Sequence, residues 1–129
     1  MKSFSIFSLI AINLLAGCSR IEAQQAVYRK LSAADAYKMM SELTDYVLLD
    51  VRTEEEYRER RISGAILIPN YEIKDRAAKE LPDKDKVIFV YCRSGARSAN
   101  AAGELAALGY VNVYDIGGIM NWPYETIDD

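Results

Sequence analysis

Three stretches of this chain are apolar without alternation: Tyr46-Val47-Leu48-Leu49-Asp50-Val51, Ala65-Ile66-Leu67-Ile68 and Lys86-Val87-Ile88-Phe89-Val90-Tyr91. A strand with one wet face alternates polar and apolar residues, whereas a strand covered on both faces of a parallel sheet does not. These runs therefore demand helices above and below them, and the intervening sequence supplies helix signals. Ser32, with Asp35 in the first turn, caps a helix whose Ala36, Met39, Met40 and Leu43 keep helical spacing. Thr53 with Glu56 makes a capping box for a short charged helix ending near Arg60. After Gly64 and the strand that Pro69 stops, a polar helical segment covers roughly residues 71–80. The alanine-rich stretch from Ser98 to Leu108 is a helix closed by Gly109. Val27-Tyr28-Arg29-Lys30 reads as a short edge strand and Val111-Asn112-Val113-Tyr114-Asp115 as a last one, after which Gly117-Gly118 turns the chain toward Trp122. The alternation predicts an α/β fold with a central parallel sheet of about five strands and helices on both faces.

Half of the 129 residues are hydrophobic, which suits one domain with its own core. The formal charge is −3 and no long basic run occurs, so a sequence-wide attraction to nucleic acid is not expected. Histidine is absent. That removes Cys-His and Ser-His-Asp catalysis and most zinc sites, and no metal is expected.

The N-terminus reads as an address. Lys2 precedes a mostly apolar stretch, Phe4 to Leu15, too short to span a membrane and suited to a signal peptide over residues 1–17. It ends in Leu15-Ala16-Gly17-Cys18, which resembles the bacterial lipobox. The resemblance implies that Cys18 is lipidated and becomes the mature N-terminus, anchoring the chain at a membrane and facing the periplasm or cell exterior. Ser19 beside it, rather than Asp, implies the outer membrane if the cell has two. Residues 18–26 are then a polar tether and residues 27–129 the domain. A secretory signal with a coincidental cysteine is the competing reading. Two cysteines in an exported chain also admit a disulfide, but lipidated Cys18 would leave Cys92 as the sole free thiol.

Cys92 follows directly on a buried strand, and a helix opens a few residues later, the junction at which open α/β sheets bind ligands. The run Cys92-Arg93-Ser94-Gly95-Ala96-Arg97-Ser98 brings three effects to one sulfur. A helix N-terminus offers unpaired N–H groups and partial positive charge. Arg93 and Arg97 are permanent cations. Gly95 lets the backbone curl so that successive amides point inward. Each favours thiolate, the nucleophilic form. A buried structural cysteine would instead have apolar neighbours, and this loop has few.

The chain from about residue 27 onward resembles the single-domain rhodaneses, the thiosulfate sulfurtransferase family. Five blocks carry the likeness: Leu49-Asp50-Val51-Arg52, the following Glu55-Glu56-Tyr57, Ile62 through Pro69 (Ser63 standing where histidine is common), Tyr91 through Ser98, and Gly117-Gly118 with Trp122. Active rhodaneses place arginine five positions after the cysteine, whereas relatives acting on phosphate use a longer loop. Arg97 stands at the sulfur-type position. The resemblance implies that Cys92 attacks a small anionic sulfane donor such as thiosulfate and carries the sulfur as a persulfide. A thiophilic acceptor, cyanide or a thiol, then removes it, so no cofactor is needed. Arg93 and Arg97 would steer the donor, and the amides of residues 93–98, among them Ser94, Gly95, Ala96 and Ser98, would hold the transferred sulfur. Ser98 is equally readable as a helix cap.

Arg52 is expected in a structural ion pair, Asp50 as a turn-fixing residue, and Trp122 and Tyr124 as covers for core or rim. The acidic run Glu54-Glu55-Glu56 and Arg58, Arg60 and Arg61 read as a solvated helical face without function. A non-catalytic rhodanese-like module that carries sulfur for an envelope protein is the alternative. A cysteine phosphatase or arsenate reductase is disfavoured by loop length.

Overall fold

The computed structural model describes residues 27–129. The expected signal peptide, Cys18 and the expected tether lie outside the described residues. Thirteen segments of regular structure follow in order. They are β1 (Arg29–Lys30), α1 (Ala33–Glu42), β2 (Val47–Asp50), α2 (Glu54–Glu59), β3 (Arg61–Ile62) and β4 (Ile66–Leu67), then a 3-10 turn (Asn70–Glu72) and α3 (Ile73–Glu80). The rest are β5 (Ile88–Cys92), α4 (Ala96–Ala107), β6 (Val113–Gly118), a second 3-10 turn (Ile119–Asn121) and β7 (Thr126–Ile127).

Five strands form one sheet in the order β1-β6-β5-β2-β4, every neighbouring pair parallel. All five residues of β5 are buried, which is why that run is apolar from end to end. Successive side chains point to opposite faces. Ile88, Val90 and Cys92 join Leu49, Val51 and the inner residues of α3 and α4 in one core. Phe89 and Tyr91 join Leu48, Ala36 of α1 and Trp122 in the other. The expected α/β sheet with helices on both faces is present.

Four details differ from the sequence reading. The run Ala65–Ile68 is not a strand buried on both faces. Only Ile66–Leu67 pairs, at the sheet edge beside β2, and Ile66 is 43% exposed. The last helix begins at Ala96 rather than Ser98, because Gly95 already occupies the N-cap position with φ +116°. Ser98 is therefore not a cap but lies within the first helical turn. Gly117 and Gly118 belong to β6, where Gly118 pairs with Cys92, so the turn comes later. A second, antiparallel two-stranded sheet joins β3 to β7, with strands too short to leave any periodicity.

The strand order fixes where a crevice opens. From β2 the chain moves outward to β4, and from β5 it moves the opposite way to β6. The connections leaving β2 and β5 diverge, and the gap between their carboxyl ends is the topological switch point of an open α/β sheet. The helix after β2 carries Glu56, and the helix after β5 carries Arg97.

Candidate active site

A buried polar network fastens the two strands below the crevice. Asp50, the last residue of β2, is fully buried and accepts from the Arg52 backbone N–H at 2.9 Å, from Arg52 Nε at 3.0 Å and Nη2 at 2.7 Å, and from the Tyr91 hydroxyl at 2.7 Å. Arg52 also donates to the Arg60 carbonyl at 2.6 Å, and the Tyr91 oxygen accepts from the Ile62 N–H at 3.1 Å. Burial, then the charge of Asp50, pushes the Tyr91 hydroxyl far above its ordinary range, so it stays protonated and donates. The expected structural roles of Asp50 and Arg52 are those seen here.

One residue beyond Tyr91, Cys92 ends β5 with 1% of its surface exposed. Its Sγ accepts from the Gly95 amide at 3.0 Å. Burial acts to raise its pKa. It is outweighed by Ser98, through hydroxyl and amide, and by the amides of Gly95 and Ser94, so the thiol lies below its ordinary value. The Ser98 hydroxyl has other claims on its single proton. It lies 2.7 Å from Asp115 Oδ1 and 2.9 Å from the Gly95 carbonyl, and Asp115 Oδ1 also accepts from the Gly117 amide at 2.9 Å. While Asp115 takes that proton, the loop amides carry the stabilisation of sulfur. They lie at the start of α4, where the helix dipole adds to their effect.

The loop keeps this shape because a neighbouring strand crowds it. Gly118 faces Cys92 in the β5–β6 ladder. A Cβ there would collide with the Arg93 carbonyl and stand 2.6 Å from the Ser94 Cα. The Met120 amide then donates to that carbonyl at 3.2 Å. Glycine at 118 is thus a requirement of close backbone approach.

The two arginines are not equivalent. Arg93 is exposed and makes no ion pair among the described residues. Arg97 is engaged: its Nη1 and Nη2 donate to Glu56 Oε1 at 2.7 Å and Oε2 at 3.0 Å. This corrects the reading of Arg97 as a free cation for the donor and of Glu56 as part of a solvated face. Glu56 is held at about pKa 2, chiefly by Arg97 and, against burial, by the Thr53 amide of the capping box. Arg58 and Glu54 do pair at i,i+4 on the solvated side, at 2.7 Å. Trp122 is buried and packs edge-on against Tyr124, with ring centroids 4.9 Å apart, as expected of a core cover.

Sequence reasoning missed Glu56 and Asp115 as parts of this site. The signal for Glu56 was present: a capping-box glutamate on the helix that flanks the crevice. Asp115 was visible only as a carboxylate inside the strand next to β5.

The sequence profile described as Rhodanese-like domain matches residues 32–124. This chain belongs to the rhodanese family. Thiosulfate sulfurtransferase PspE of Escherichia coli (strain K12) is 41% identical over 73 residues, covering 57% of this chain and 70% of that protein. Thiosulfate sulfurtransferase GlpE of Coxiella burnetii is 31% identical over 97 residues, covering 74% and 88%. Among solved structures, a rhodanese with anions from E. coli superposes with TM-score 0.62 at 34% identity, covering 65% of this chain and 99% of that one. A rhodanese domain with relatives so named supports a sulfurtransferase.

Proposed function

We propose that this rhodanese transfers sulfane sulfur through a persulfide on Cys92. The observation that carries the reading is the sulfur itself, at the end of a buried strand and accepting the Gly95 amide at 3.0 Å at the mouth of α4. In the first half-reaction the thiolate bonds to the outer sulfur of a donor such as thiosulfate, and the bond from that sulfur to the sulfonyl group breaks. Sulfite leaves with the electron pair, and the product is the Cys92 persulfide anion. The same amide cup would hold this second anion. In the second half-reaction cyanide or a thiol attacks the terminal sulfur and returns Cys92 as thiolate. Two displacements on one sulfur predict ping-pong kinetics.

The test uses the full chain. Purified protein incubated with thiosulfate gains the mass of one sulfur atom, loses it on adding cyanide, and turns over. Cys92→Ser does none of these. A serine variant with undiminished turnover would overturn the reading.

The lipobox-like Leu15-Ala16-Gly17-Cys18 supports a lipid anchor at Cys18 and an envelope location, with an envelope protein or small thiol as acceptor. Metabolic labelling with a fatty acid is expected to mark the wild-type chain and not Cys18→Ala.

A further inference from the structure

We propose that Glu56 sets the donor preference of this site, disfavouring doubly charged donors such as thiosulfate relative to singly charged sulfane donors. The inference rests on the sulfurtransferase reading and names the substrate class it favours. Both terminal nitrogens of Arg97 are spent on Glu56, at 2.7 and 3.0 Å, and the pair is only part-buried, with 32% and 25% of the two side chains exposed. The pair therefore lies at the surface end of the loop rather than in the core. The guanidinium feels the Glu56 carboxylate first, then the Cys92 sulfur and Asp50, so one cation answers three anions.

The surrounding charges do not restore the balance. Asp50 and Arg52 neutralise each other within the buried network. Asp115 adds a carboxylate beside Ser98. Arg93, exposed at the rim, is the one arginine of the loop left unpaired among the described residues. Counting the thiolate, Glu56 and Asp115 against Arg97 and Arg93, the approach to sulfur is not net cationic. A second charge on the donor therefore meets net repulsion here, where the two loop arginines alone would give it attraction.

A thiosulfonate of general form R–SO2–S⁻ isolates that charge. Its sulfur transfer has the same balance as that of thiosulfate: the thiolate takes the outer sulfur, and a sulfinate leaves instead of sulfite. The experiment compares kcat/KM for thiosulfate and for benzenethiosulfonate, with cyanide as acceptor, in the wild type and in Glu56→Gln. Glutamine keeps the capping box and an acceptor for Arg97 while deleting the charge. The expected result is a ratio, thiosulfate over thiosulfonate, that rises about five-fold, the effect of one nearby charge at near-aqueous dielectric on one additional donor charge. A purely structural role for Glu56 would lower both donors together and leave the ratio unchanged, which overturns the proposal.

A second measurement needs no variant. Salt screens exposed charges. Raising ionic strength is expected to increase the wild-type ratio, and a ratio that falls with salt overturns the proposal as well. If the wild type forms a persulfide with neither donor, the sulfurtransferase reading itself fails and this inference falls with it. A wild type that turns over with an unmoved ratio removes the inference alone.

Discussion

Two arginine–carboxylate pairs lie near the nucleophile's strand, each held by two guanidinium nitrogens and set in opposite surroundings. Asp50–Arg52 is 0% and 5% exposed, and every polar atom of the carboxylate has a partner. Glu56–Arg97 is 25% and 32% exposed and opens toward the loop. Water is the difference. A pair sealed from water contributes rigidity and is costly to break, because either charge left alone has nowhere to find solvent. A pair at the edge can lose one partner at modest cost, yet its field reaches anything that enters the crevice. The same chemistry thus acts as a fastener below the site and as an electrostatic element above it.

The sharpest way to break this comparison is to delete the buried carboxylate. Asp50→Ala leaves Arg52 without its counter-charge and the Tyr91 hydroxyl proton without its acceptor inside the protein. It is expected to cost about 3–5 kcal/mol, the range for an orphaned buried partner. Urea denaturation of wild type and variant measures it. A loss below about 1 kcal/mol, the surface-pair range, would erase the distinction between the two pairs.

The outer pair is expected to respond to acid instead. Glu56 lies at about pKa 2 in the folded chain, below its ordinary 4.5, so folding favours its ionised form. Its contribution is fully present above the unfolded value near 4.5 and is lost as pH falls through the folded value near 2. Glu56→Gln should therefore lose about 1 kcal/mol or less at neutral pH, since the pair is partly solvated. Its stability should also fall less than that of the wild type between pH 4.5 and 2. Denaturant midpoints at several pH values across that window read the difference. Parallel curves would show that Glu56 gains nothing from Arg97.

The contrast between the pairs also marks what the sequence could disclose. The sheet was legible because burial on both faces writes itself as unbroken apolar runs, and the run Lys86–Tyr91 predicts the central strand, Ile88–Cys92, one or two residues early. The loop was legible because Arg93, Ser94 and Arg97, set between Cys92 and Ser98, make no sense as core. Asp50 and Arg52 are two apart in sequence, so their pairing could be anticipated locally. Glu56 and Arg97 are separated by 41 residues and meet only because β2 and β5 are neighbours whose helices flank one crevice. No local pattern carries that meeting. For the same reason Arg97 read as free. The edge strand at Ile66–Leu67 was misjudged because an apolar run cannot say how many of its residues will be covered.

Asp115 gives the finest test of how charge and position share control of the sulfur. Its carboxylate holds the Ser98 hydroxyl at 2.7 Å and the Gly117 amide at 2.9 Å, one strand away from Cys92. Asp115→Asn preserves an oxygen for both donors, so the loop keeps its form. Only the negative charge goes. A nearby anion disfavours the thiolate, and its removal should favour it. The midpoint of Cys92 alkylation against pH is then expected to move down by roughly half a unit. An unmoved or upward midpoint would mean that the Asp115 charge is not felt at the sulfur. The outcome decides whether that charge reaches Cys92. It also shows whether the inner wall of the crevice resembles the buried pair, where geometry dominates, or the outer pair, where the field does.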